Sequence, residues 1–455
     1  MRRPSSSALA AGAWRALLAT LPACHGAAPP PPPTEQSGPR DEPGVFADRL
    51  VLSSTAVFTG PNASWGADTW RGSAAYLAEI NAKGGVHGRK IEVTAVDDGY
   101  ETKRALENVA RLVEKNDFFV FYNFVGSNVM VGAVAELGRH RAKDVFQFGS
   151  VASSSGFRSG PDMDRAFVVR APITMEVKIA VDAFFAAGKT KFGVFYQDDL
   201  YGRSGLDAVN AELAARQTKP VSALKHSAFQ RFDEPLRAEV EELRAAGAEV
   251  IFDIGNAQAA AALVRDARQS QWHVPIVQTS GVHDTFVRTL LAYEKKTNAK
   301  VATDLFGTKV VPSPGERQLP LVAQYLELVE RHNPKPPGDL TEAAFRQAPV
   351  SFHQVEGFVN AKVLVEILRR MGPKPTRARF KDAAESLRSF DVGLGDGAAI
   401  TFGPGDHTGL DRVWLYAWSE SDWVPVKHVA TAVGEASTPP SPDAGARDSS
   451  PRAIP

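Results

Sequence analysis

Residues 76–99, YLAEINAKGGVHGRKIEVTAVDDG, constrain what this chain can fold into more than any other stretch. Tyr76, Leu77 and Ile80 set apolar groups on one face at helical spacing. Gly84 and Gly85 then stop the helix, because a left-handed C-cap costs glycine least. Gly88 completes a short turn. Ile91, Val93, Ala95 and Val96 form a strand that ends at Asp97 and Asp98. A helix feeding a strand through so short a connection is the unit of a doubly wound α/β sheet.

The same rhythm runs along the chain. Before this unit the pattern predicts a strand over 50–57 and a helix over 67–82. After it come helix 101–115, strand 117–122, helix 128–141 and strand 144–149. Runs such as DFFVFY carry no polar alternation, which suits a sheet covered by helices on both faces. Ligand crevices in open α/β sheets lie beyond the carboxyl ends of the strands. Three loops take that position: 58–66, 123–128 and 150–156. Around FVVRAP (167–172) the chain is expected to cross to a second lobe. There the pattern predicts strands over 191–197, 248–255, 274–278 and 305–311, and helices over 203–217, 234–246, 257–270 and 283–293. Pro312 and Pro314 punctuate a second crossing. Helices over 317–332, 351–371 and 376–388 return to the first lobe, and the last strands form a hairpin turning near Glu420 to Asp422. A chain of 455 residues exceeds one typical core, so two lobes are the natural division.

Both ends of the chain read differently. Arg2 and Arg3 precede a short apolar run, Ala8 to Leu21, in the manner of a secretory signal over residues 1–24. Leu21-Pro22-Ala23-Cys24 resembles a bacterial lipobox, in which the cysteine is acylated. Cys24 is the only cysteine, so it has no disulfide partner within the chain. Residues 25–47 are a Pro-rich, extended tether. Residues 431–455, rich in Ala, Ser and Pro, read as a disordered tail.

The sequence holds no constellation for catalysis. A G-x-G-x-x-G after a strand, a G-x-x-x-x-G-K-[ST], an H-E-x-x-H and a G-x-S-x-G are all absent. This leaves a nucleotide, a zinc ion or any other cofactor without support. Lys plus Arg equals Asp plus Glu at 52 each, which argues against a nucleic-acid partner. Asp97/Asp98 and Asp198/Asp199 sit at strand ends, where capping and loop hydrogen bonds are the expected role. Ser127, Asn128 and Ser153 to Ser155 fall where helices start. Such a terminus offers free N–H groups to a carboxylate, although the same residues serve equally as plain caps.

INAKGGVHGRKIEV followed by DDGYETKRALENVARLVE resembles the Leu/Ile/Val-binding protein family, the substrate-binding proteins of ABC importers. The likeness returns at YQDDLYGRSGL (196–206), KVVPSPG (309–315), VEGFVNAKVLVEILRRMG (355–372) and FGPGDHTG (402–409). It implies an α/β, two-lobed periplasmic-binding-protein type I fold with three hinge crossings. On that plan residues 48–170 and 314–410 build lobe 1, and 171–313 and 411–430 build lobe 2. The implied function is capture of a branched-chain amino acid, or a related small carboxylate or amide, between the lobes and its delivery to a membrane permease. The implied partners are ABC permease subunits and a membrane reached through the lipid anchor, in the periplasm or cell envelope. A sensing component that docks on a receptor or regulator would use the same fold.

The resemblance also places site residues. The family's aromatic lid falls on Trp65. Its serine-type carboxylate contact falls on Gly126, with Ser127 the next hydroxyl, and its third loop on Val151, Ala152 and Ser153. The tyrosine of the D-x-Y-G turn matches Tyr201. A later tyrosine is replaced by Asn256, and the glutamate that pairs the ligand ammonium falls near Ser280. An ammonium taken out of water needs a strong acceptor, and Asp253 and Asp284 are the available substitutes. Trp65, Tyr201 and Phe124 are expected to give the pocket an aromatic wall.

Overall fold

The structure, a computed structural model, describes residues 42–426 and Val429, apart from 141–143, 159–162, 283 and 396. Cys24 and the two terminal segments lie outside the described residues. The chain begins with β1 (Arg49–Ala56), α1 (Ala63–Ala82), β2 (Lys90–Asp97), α2 (Thr102–Lys115), β3 (Phe121–Val125), α3 (Ser127–Arg139), β4 (Gln147–Val151) and the short β5 (Ala166–Phe167). The strands form a parallel sheet in the order β2-β1-β3-β4-β5. All five side chains of β3 are buried, as an unalternating apolar strand between two helical layers requires. The stop after α1 works through Gly85, whose N–H donates to Ile80 O at 2.9 Å. Its φ is +78°, and a Cβ there would lie 1.9 Å from Arg89 O. Only glycine fits this turn.

The second sheet follows α4 (Ile173–Ala186): β6 (Phe192–Gln197), α5 (Leu200–Ala214), β7 (Ser222–His226), α6 (Arg237–Ala245), β8 (Val250–Ile254), α7 (Ala257–Gln269), β9 (Ile276–Gln278), α8 (Thr285–Thr297) and β10 (Leu305–Lys309). The closing hairpin β11 (Trp414–Ser419) and β12 (Asp422–Pro425) joins it antiparallel, giving the order β12-β11-β10-β9-β8-β6-β7. Between β10 and β11 the chain returns to the first sheet as α9 (Pro320–His332), α10 (Phe352–Met371) and α11 (Arg377–Glu385). α1 packs against both α9 and α10. Phe380 of α11 gathers the rings of Phe119, Phe146, Phe148 and Phe167 at centroid distances of 5.8–6.2 Å. The fold is α/β, with two mainly parallel sheets flanked by helices.

Among the local readings that differ from the pattern, α1 starts at Ala63 rather than 67, so Ala63 to Gly66 of the expected 58–66 loop are helical. β7 was not expected, because SALKH at the sheet edge exposes Ala223 and Lys225 and looks like a loop. β3 starts at Phe121 rather than 117, because the apolar run extends from Phe118 to Val125 and apolarity alone sets no register.

Candidate functional site

The carboxyl ends of both sheets face one another across a cleft of about 260 Å³, including its mouth. Trp65 reaches it from the first turn of α1, and Tyr201 from the first turn of α5. Gly126 and Ser127 stand at the start of α3. Val151, Ala152 and Ser153 leave β4 directly into the wall. Seven of the nine residues expected at a ligand site thus meet here, joined by three that were not expected: Tyr100, Arg170 and Gly281.

Several hydrogen bonds tie the two sheets together across this cleft. The Trp65 indole N–H donates to Gly281 O at 2.7 Å, and its ring meets Tyr100 edge-on at 5.0 Å. The Tyr100 hydroxyl donates to Asp199 Oδ2 at 3.0 Å, while Gln197 Nε2 donates to that same carboxylate at 2.5 Å. Leu200 N donates to Asn128 Oδ1 at 3.1 Å, and the Ser154 and Ser204 hydroxyls meet at 2.7 Å. Burial raises the pKa of Tyr100, and the neighbouring Asp199 carboxylate raises it further. Burial likewise raises Asp199, against the donors that bind its charged form. Tyr201, also pushed up by burial, shares a 2.5 Å hydrogen bond with the Thr279 hydroxyl. Ser127 Oγ accepts from Ser154 N at 3.3 Å, so this hydroxyl helps to hold the third loop in place.

Asn256 and Ser280 do not reach the cleft. Asn256 Oδ1 caps α7 by accepting from Gln258 N and Ala259 N, both at 2.9 Å. Its Nδ2 donates to Ala228 O at 3.1 Å, so the whole amide is spent on the fold. Ser280 lies one residue behind the wall. Its N–H and hydroxyl donate to the two oxygens of Glu176 at 2.6 and 2.7 Å. Phe124 packs into the core beside Phe121, at 5.1 Å between ring centroids, and forms no wall. Asp284 accepts from Phe352 N at 2.9 Å. Asp253 is fully buried on β8 with neither carboxyl oxygen hydrogen-bonded, and burial drives its pKa well above the usual carboxylate range. Asp253 does not line the cleft, so it is no partner for an ammonium bound there.

The acid pairs at strand ends act as hydrogen-bond acceptors. Asp97 accepts from Phe58 N, Thr59 N and Gly99 N and pairs with Arg104 at 2.7 Å. Asp98 accepts from Tyr100 N and the Thr55 hydroxyl. That turn gives Tyr100 its φ of +66° and folds its ring back over the cleft. Asp199 caps α5 by accepting from Gly202 N. The one sequence signal for Arg170 was a charge embedded in the apolar run FVVRAP, at the expected crossing.

A sequence profile of the family described as "Periplasmic binding protein" matches residues 55–422. An amino acid binding protein of Pseudomonas aeruginosa is 28% identical over 239 residues, 51% of this chain and 61% of that protein. The chain therefore spans about three fifths of that relative. A Leu/Ile/Val-binding protein homolog of Brucella melitensis is 23% identical over 86% of this chain and 94% of its own length. Among solved structures, a possible leucine/isoleucine/valine-binding protein from Rhodopirellula baltica superposes with a TM-score of 0.72 at 24% identity. It covers 84% of this chain and 96% of that one.

Proposed function

The chain belongs to the periplasmic binding protein family, and from that premise we propose that it captures a small solute in the inter-sheet cleft and hands it to the permease of an ABC importer. The observation that carries this reading is the Trp65–Gly281 bond, made between the first sheet's lid residue and the second sheet's wall. A contact of this kind exists only when the lobes are shut, and a ligand that touches both walls favours the shut state over the open one. Ser127, Ser153 and Tyr201 supply the hydroxyls, and Trp65 and Tyr100 the aromatic surface. The relatives are named for amino acids, and the ligand class we propose is an amino acid or a related small acid or amide. Binding without turnover is part of the proposal, since no nucleophile with an adjacent base lines the cleft among the described residues.

A thermal-shift screen of the purified chain against amino acids, small acids and amides tests it. A ligand of the folded state raises the melting temperature in a concentration-dependent way. A Trp65→Ala variant that responds to the same compound as strongly as the parent overturns the placement of the site. We further propose that Cys24 carries a lipid that holds the protein at a membrane. Cys24→Ser should then move it into the soluble fraction, and unchanged membrane association defeats the anchor. Among the described residues no helix is long and apolar enough to cross a membrane.

A further inference from the structure

The described wall of the cleft carries one formal charge, and it is positive. Arg170 lies between β5 and α4, lines the cleft and is 2% exposed. Its guanidinium has five N–H donors. Nη2 donates to the Ser280 hydroxyl and lies 3.8 Å from Glu176 Oε1, while Nη1 lies 3.3 Å from Glu356 Oε1. Nε is buried with no hydrogen-bond partner. An unsatisfied buried donor on a cation is costly, and an acceptor brought by a ligand removes that cost.

Glu356 Oε1 and both Asp253 oxygens are also buried without a hydrogen-bond partner, but no carboxylate stands on the described cleft wall to meet a ligand cation. Glu176 is saturated by Ser280 N, the Ser280 hydroxyl and the Thr308 hydroxyl, all from behind the wall. Glu356 on α10 faces Arg170 with Glu176 beyond it, and does not line the cleft. Asp199 accepts from Tyr100, Gln197 and Gly202, and Asp253 is buried without an ion partner. Among the described lining residues none is acidic.

We propose that Arg170 is the specificity-determining residue of this cleft and that it selects small monocarboxylates lacking an α-ammonium group. The proposal rests on the reading of the cleft as the ligand site. It deepens that reading by choosing, among small acids, those with no second charge to satisfy.

The test is calorimetric titration of the full chain with matched pairs that differ only in the ammonium. These are propanoate with alanine, 4-methylpentanoate with leucine, and phenylacetate with phenylglycine. At least one acid should bind with a Kd below about 1 mM and exceed its amino acid by about tenfold or more. Arg170→Gln should cost that acid about ten- to a hundredfold and erase its preference over the amino acid. Because that variant leaves Glu356 facing no cation, the double variant Arg170→Gln/Glu356→Gln serves as the folded control and should show the same loss. Failure of every acid to bind overturns the proposal. So does a pair in which the amino acid binds tighter, or an acid affinity unchanged in both Arg170 variants. Trp65→Ala separates the two levels of inference. If it weakens binding but amino acids win each pair, only the role of Arg170 falls. If the bound compound ignores Trp65→Ala and both Arg170 variants, the cleft is not the site and the proposed function falls with it.

Discussion

Glu356 shows how a single buried carboxyl makes the whole chain sensitive to pH. Its pKa is raised from 4.5 to about 7, chiefly by burial, with Arg170 pulling it down and Glu176 pushing it up. The folded state therefore holds this proton over a range in which the unfolded chain has released it. The stabilisation is complete below pH 4.5 and is lost as pH rises through 7. Asp98, raised by burial from 3.8 to about 7, acts in the same direction. His226 acts in the opposite direction, because burial lowers it from 6.5 to about 4 and acidification through that window favours unfolding. Glu356→Gln isolates the first effect, since an amide does not titrate. The variant should be more stable than the parent at pH 8, and the gap should shrink by about 2 kcal/mol on going to pH 5. Denaturant titrations of both proteins at the two pH values measure it, and a constant gap would rule out a protonated Glu356. The same residue scale shows where sequence reading ends. Ser127 and Asn256 are both polar residues at the start of a helix, so pattern alone ranks them alike. They differ in position, Asn256 being the cap of α7 and Ser127 the first residue inside α3, and in what lies opposite. Asn256 has Gln258 N, Ala259 N and Ala228 O within reach, whereas Ser127 opens on the cleft.

Among the elements, α1 and α10 approach each other more closely than side chains of ordinary size allow. A Cβ on Gly72 would lie 1.7 Å from Gln354 O, and one on Gly357 would lie 2.0 Å from Thr69 O. Both obstacles are backbone, which cannot rotate away. The two glycines thus let the helices touch, and through them α10 sets the depth at which Glu356 meets Arg170. Gly72→Ala should destabilise the chain by about 1–3 kcal/mol, the usual cost of overpacking, despite alanine's better helix propensity. An unchanged denaturation midpoint would mean that the helices have room to part. The elements themselves were largely legible in the sequence, because apolar period and glycine stops act locally. α1, β2 and the turn at Gly85 follow from residues within a few positions of one another. The pairing of Gly72 with Gly357 does not, because it joins helices nearly 300 positions apart. Arg170 is a similar case. Its charge within FVVRAP was visible and Glu176 lies only six residues on, but its other partners, Ser280 and Glu356, are brought to it only by the packing of distant segments.

At the scale of the whole molecule, the closed arrangement rests on few contacts between the sheets, and that makes it adjustable. Trp65 to Gly281, Tyr100 to Asp199, Asn62 to Ala228 and Leu200 to Asn128 are single hydrogen bonds across the cleft. Each contributes on the order of 1 kcal/mol net, so losing one shifts an open–closed balance by about fivefold. Trp65→Phe removes the indole N–H while leaving an aromatic ring to face Tyr100. It should therefore move the free protein toward the open state without unfolding either lobe. Small-angle scattering should report a larger radius of gyration for Trp65→Phe than for the parent, with circular dichroism unchanged. A saturating ligand should bring the two radii together, because contacts to both walls restore the closed state. The variant's affinity should fall by the same factor that its closed population falls, since part of the binding free energy is then spent on closure. Equal radii for the two free proteins would show that the Trp65–Gly281 bond does not hold the lobes together. Equal radii with a lower affinity would place Trp65 in direct contact with the ligand instead.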